Sequence, residues 1–157
     1  MNRWQLGICA GFGLFAYVFC FGLILYLWFD YSRIVLMGDV HVYLSIKYGS
    51  LAHITMFALL VLILTPLWEE ALWRWLPIRV TQWTTDQTWP LWIVIIIVSA
   101  IFGKIHGSYV NIFIQGVAGI AFSWVFLKRG YLAAVTTHVT YNTLLFVNTL
   151  AYFFYVG

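Results

Sequence analysis

Two adjacent glutamates, Glu69 and Glu70, precede Arg74 in the stretch "TPLWEEALWRWLPIR", within a chain that is 64% hydrophobic and only 8% charged. On a helix Glu70 and Arg74 face each other at i,i+4 with the carboxylate on the N-terminal side, the favourable order for an ion pair. Glu69 is left without that partner. A charge near the middle of a membrane costs on the order of 3 kcal/mol on insertion scales, so Glu69 needs water, a proton or another polar group. Two further polar sets stand in equally apolar surroundings. In "FGKIH" Phe102 and His106 share one helix face, and in "HVTYN" His138 and Asn142 do the same. Taken singly, each set has a plain structural reading: carboxylates facing water at a helix end, an interfacial histidine, an interhelical hydrogen bond. Taken together they hold the parts of a hydrolytic site, namely a base to activate water, donors for a developing oxyanion and a proton for a leaving group.

Other chemistries fit less well. Cys9 and Cys20 lie outside all three sets, and no serine stands beside a histidine in the manner of a serine protease, so a covalent nucleophile is disfavoured. The two cysteines are also roughly 16 Å apart along a helix, too far for a mutual disulfide. Glu69, His106 and His138 could in principle form a His/His/Glu zinc site, although the chain has neither HExxH nor a CxxC pair.

These residues need membrane helices to carry them. With 20% aromatic residues and three prolines in 157 residues, the chain cannot build a polar shell, and its continuously apolar runs exclude the alternation of a β-barrel. The predicted fold is all-α, a polytopic transmembrane bundle of about five spans in a single membrane domain over 1–157. Residues 6–29 form a retained first span, and a polar connection over 30–50 carries Asp30, Arg33, Asp39, His41 and Lys47. A second span starts at Leu51. Glu69 can meet His106 only if this helix runs past the glutamates toward Val80. Pro90 opens the third span, and the fourth, "YVNIFIQGVAGIAFSWVFL", carries Gly116, Ala118, Gly119 and Ala121, small residues that permit close helix approach. The fifth begins near Tyr131. No internal repeat and no linker divides the chain. The net charge of +3 is dispersed and gives no nucleic-acid footprint. Arg3, Arg79, Lys128 and Arg129 fall on one side against Arg33 and Lys47 on the other, which favours N-in, C-out.

The ordered set EExxxR, FxxxH and HxxxN, each on its own predicted span, resembles the CPBP family of CAAX proteases and bacteriocin-processing proteins, also called Abi, which includes the type II prenyl-protein endopeptidases. The resemblance covers 66–145 and makes 51–157 the CPBP-like core, with 1–50 as an added span and polar loop. It implies a multi-pass enzyme, expected in a bacterial cytoplasmic membrane, that cuts a membrane-associated protein or peptide: a prenylated CAAX tail, a peptide precursor or a C-terminal sorting segment. It implies that Glu69 with His106 activates water, that His138 and Asn142 stabilise the oxyanion, and that Glu70, Arg74 and Phe102 support the site. It favours a metal-free glutamic mechanism over zinc and implies no cofactor. Trp73 stands where phenylalanine is usual, Trp75 where glycine is usual, and Lys104 is an unusual charge in the second motif. The chain is small for the family, so self-association or partner spans are expected. Rival readings are a catalytically silent immunity or scaffold protein that binds a peptide, and a proton-relay subunit.

Overall fold

The computed structural model describes residues 1–29, 49–107 and 109–155, and every described regular element is helical. The polar connection expected over 30–50 falls almost wholly outside these residues, along with Asp30, Arg33, Asp39, His41 and Lys47. Helix α1 (Arg3–Phe29) is the first span. Next comes one unbroken rod made of α2 (Leu51–Leu59), the π-helical turn π1 (Leu60–Leu64), α3 (Thr65–Glu70), the π-helical turn π2 (Ala71–Trp75) and α4 (Leu76–Thr84). It continues well past the glutamates, as the site requires. Extended backbone at Thr85 ends it, and α5 (Thr88–Ile105) returns. A short turn leads to π3 (Ile112–Gly116), which runs into α6 (Val117–Arg129), and α7 (Tyr131–Tyr155) follows after Gly130. Gly130 has φ +83, a backbone conformation open to glycine and unfavourable for residues with a Cβ.

Among the described residues four helices are long and apolar enough to cross a bilayer: Arg3–Leu25, Ala52–Thr84, Thr88–Ile105 and Ile112–Arg129. At 25 residues α7 is long enough, about 37 Å at 1.5 Å per residue, but it is more polar. Its threonines conceal much of that polarity. Thr136, Thr137 and Thr143 each donate to the carbonyl four residues back, at 2.8, 2.9 and 2.7 Å. The chain is therefore an integral membrane protein with an all-α bundle.

Small residues set the closest helix contacts. A Cβ at Gly7 would meet the Ala133 carbonyl at 2.9 Å, and one at Gly11 would meet Thr140 Cβ at 2.6 Å, so α1 lies directly on α7. Gly7 and Gly11 form a GxxxG pair, a legible signal that the sequence reading did not use. Behind this contact Leu14, Val18, Ile114, Ala118, Phe122 and Tyr141 pack α1 against π3, α6 and α7. A second apolar layer, Ile78, Ile95, Phe126 and Ala134, joins α4, α5, α6 and α7. Arg129 donates to the Met1 carbonyl at 3.4 Å, which puts the end of α6 and the start of α1 at the same end of the bundle.

Candidate active site

Both π-helical turns in the long rod have a local cause. A proline inside a helix lacks an N–H and its ring collides with the carbonyl four residues earlier, which here means Leu62 for Pro66 and Trp73 for Pro77. Each of these residues is the centre of a π-turn, whose wider i→i+5 bonding gives the ring room. The glutamate pair lies between the two widened turns. One consequence is that Asn142 Nδ2 donates to the Val61 carbonyl inside π1, at 3.2 Å.

Three helices deliver the polar residues to one place. His106 caps α5, where its Nδ1 meets the Phe102 carbonyl at 2.7 Å. A carbonyl only accepts, so Nδ1 carries the proton and Nε2 is left facing Glu69 Oε1 at 3.7 Å. His138, from α7, puts Nδ1 2.8 Å from Glu70 Oε1 and Nε2 3.6 Å from Glu69 Oε2. The Glu69 carboxylate thus lies between two imidazoles whose far nitrogens are both anchored. Both gaps exceed a direct hydrogen bond and suit a bridging water. This end of the cluster is not sealed by the bundle, since the side chains of Glu69 and His106 are 18% and 31% exposed.

Beneath that carboxylate the site is closed off by the bundle. Glu70 and Arg74 are fully buried and form the expected pair, Arg74 Nη1 to Glu70 Oε1 at 3.4 Å. The guanidinium lies over the Phe102 ring at 4.1 Å and the Phe122 ring at 5.1 Å. Both of its terminal nitrogens lack an aligned hydrogen-bond partner among the described residues, so Arg74 is held as a stacked charge. The same two rings flank the imidazoles: Phe102 is 4.4 Å from His106, and Phe122 stacks on His138 at 4.5 Å and 19°. Gly119 makes this possible, since a Cβ there would meet Arg74 Nη2 at 2.9 Å and Ser99 Oγ at 3.0 Å. Gly103 serves the second motif in the same way, since a Cβ there would meet the Asn111 carbonyl at 2.5 Å and Ile112 Cα at 2.7 Å.

Glu69, Glu70, Arg74, Phe102, His106 and His138 therefore make one contiguous cluster. Asn142 stands one turn along α7 from His138 with one amide hydrogen committed to Val61, which leaves the second free. Lys104 points away from the carboxylates, bonding the Gly107 carbonyl at 3.3 Å and lying over Tyr109 at 4.1 Å. Trp73 packs on Phe102 at 5.9 Å. The sequence reading missed the Glu70–His138 bond, because helical spacing assigns Glu70 to Arg74 and is silent on cross-helix partners. It also missed Phe122 and Asn111, whose Nδ2 donates to the His106 carbonyl and fixes the end of α5.

A family model described as Type II CAAX prenyl endopeptidase Rce1-like matches residues 51–144, well over half of the chain and including every residue of the cluster and Asn142. No curated protein and no solved structure matches the chain. The match begins where the long rod begins and takes in all three motifs, and so this integral membrane protein belongs to the Rce1-like type II CAAX prenyl endopeptidases, a family of proteases.

Proposed function

We propose that the chain is a glutamic-type intramembrane endopeptidase that cuts a prenylated CAAX tail through water activated by Glu69 and His106. One observation carries this reading: the two oxygens of one partly exposed carboxylate each face an imidazole Nε2, at 3.7 and 3.6 Å. Water bound there meets a carboxylate able to take its proton and an imidazole that holds it for attack on the scissile carbonyl. His138 and the free amide hydrogen of Asn142 lie on the α7 side, where donors for the oxyanion are needed. Glu70, Arg74 and Phe102 hold His138 and His106 in place. The match to prenyl endopeptidases supports a prenylated tail ahead of a peptide precursor or a sorting segment. Arg3, Arg79, Lys128 and Arg129 support an N-in, C-out orientation.

The test is cleavage of a farnesylated CAAX peptide by the purified chain in lipid nanodiscs, with the Glu69→Gln protein in parallel. Release of the tripeptide by the first protein and its absence with the second supports the reading. A wild-type chain that binds the peptide without cutting it would favour the silent scaffold, and proton flux without cutting would favour the relay.

A further inference from the structure

The cluster contains two carboxylates, Glu69 and Glu70, against one permanent cation, Arg74, with the second carboxylate and the guanidinium fully buried. If both imidazoles are neutral, the cluster carries a net negative charge in a low-dielectric setting with no other cation in contact among the described residues. A single added proton brings it to neutrality. Three acceptors also converge without a donor: both Nε2 lone pairs face the oxygens of Glu69. A proton on one Nε2 relieves one of these two acceptor–acceptor contacts.

The two imidazoles are not equivalent places for it. On His106 an imidazolium would have the Phe102 carbonyl at 2.7 Å on one nitrogen and Glu69 at 3.7 Å on the other. On His138 it would have a carboxylate on each nitrogen, Glu70 Oε1 at 2.8 Å and Glu69 Oε2 at 3.6 Å. Phe122 also stacks on its face at 4.5 Å. Both nitrogens of His138 thus lie toward carboxylate oxygens, while Arg74 stands against the same Glu70 oxygen.

Resting on the protease reading, we propose that His138 carries the cluster's one added proton and delivers it to the leaving amine, with Glu70 as its positioning residue. In the step, the water oxygen bonds to the scissile carbonyl carbon while Glu69 takes one water proton and the carbonyl π pair moves to oxygen. The resulting oxyanion is met by His138 Nε2–H. On collapse the carbon–nitrogen bond breaks, its electron pair stays on nitrogen, and His138 gives that nitrogen its proton. Glu69 then returns its proton to His138 through a water bridging the 3.6 Å gap. One water and one amide become one acid and one amine, and the enzyme is restored.

An amine cannot leave without a proton, whereas an alkoxide can, so the role is read by comparing two leaving groups. The probes are a farnesylated CAAX peptide and its depsipeptide, in which the nitrogen of the bond after the prenylated cysteine is replaced by oxygen. His138→Gln keeps a hydrogen-bond donor and loses proton transfer. It is expected to slow amide cleavage about 10²- to 10⁴-fold and ester cleavage by no more than about tenfold. Glu70→Gln is expected to show the same amide-selective loss, and Asn142→Ala an equal loss on both probes. Equal losses for His138→Gln on the two probes overturn the proposal while Glu69→Gln inactivity preserves the protease reading. Wild-type inactivity on both probes sinks that reading instead. The proton's location is then decided without turnover by ¹⁵N spectra of the wild-type chain, assigned by replacing His41, His53 and His106 in turn. Two protonated ring nitrogens at His138 near neutral pH, reduced to one in Glu70→Gln, are expected. A neutral His138 ring in the wild type overturns the proposal.

Discussion

Arg74→Ala removes the one permanent cation that, among the described residues, contacts the buried Glu70 carboxylate, and empties the slot between Phe102 and Phe122. Breaking a buried pair from one side costs about 3–5 kcal/mol because the remaining carboxylate is left uncompensated. Loss of a desolvated cation from over aromatic rings adds up to about 2 kcal/mol, and the Glu70–His138 bond at 2.8 Å offsets part of the total. A destabilisation near 4 kcal/mol is therefore expected, in the range estimated for one-sided removal of buried ion pairs. Arg79 is the matched control. It is exposed, bonds Gln82 at 3.1 Å and lies 5.8 Å from the Phe126 ring, so Arg79→Ala should change stability by about 0.5 kcal/mol or less. Reversible unfolding in mixed micelles measures both. A gap of about 3.5 kcal/mol corresponds to a factor of about 400 in the unfolded population. Adding Glu70→Gln to Arg74→Ala should recover stability, because it neutralises the orphaned carboxylate and keeps an acceptor for His138. Arg74→Ala falling within about 1 kcal/mol of Arg79→Ala, or a second substitution that deepens the loss, would refute the claim that Arg74 acts as a buried counter-charge.

Gly119→Ala places a methyl group 2.9 Å from Arg74 Nη2 and 3.0 Å from Ser99 Oγ, so it should cost about 1–3 kcal/mol by overpacking and reduce turnover, measured by unfolding and peptide cleavage. Gly11→Val drives a branched side chain into Thr140 and should separate α1 from α7, read as loss of a disulfide engineered between the two helices. Chelation of the purified chain should leave cleavage intact and find no stoichiometric zinc. Activity lost on chelation and restored by zinc would instead give Glu69, His106 and His138 the role of ligands.

Apolar runs and i,i+4 spacing made the helices, their approximate ends and the Glu70–Arg74 pair legible, because both depend on residues close in the chain. The convergence of Glu69, His106 and His138 is a matter of three distant segments, and only the ordered motifs pointed to it. Pro66 and Pro77 were visible signals that went unread: each predicts a disturbance four residues upstream, and each has a π-helical turn there. The pairing of Glu70 with His138, the stacking of Phe122 and the room made by Gly119 follow from how α6 and α7 pack on the rod. Helical periodicity names a face but not the neighbour it meets, so these contacts had no signal in a single sequence.

Glu69→Gln keeps the shape and much of the hydrogen bonding of the carboxylate while removing the base, so its effect on processing is the most direct measurement of the mechanism. Cells carrying Glu69→Gln at normal protein level should accumulate the uncut prenylated precursor, with the membrane-embedded chain folded as in the wild type. Unchanged processing at that protein level would contradict the assignment of Glu69 as the base that activates water.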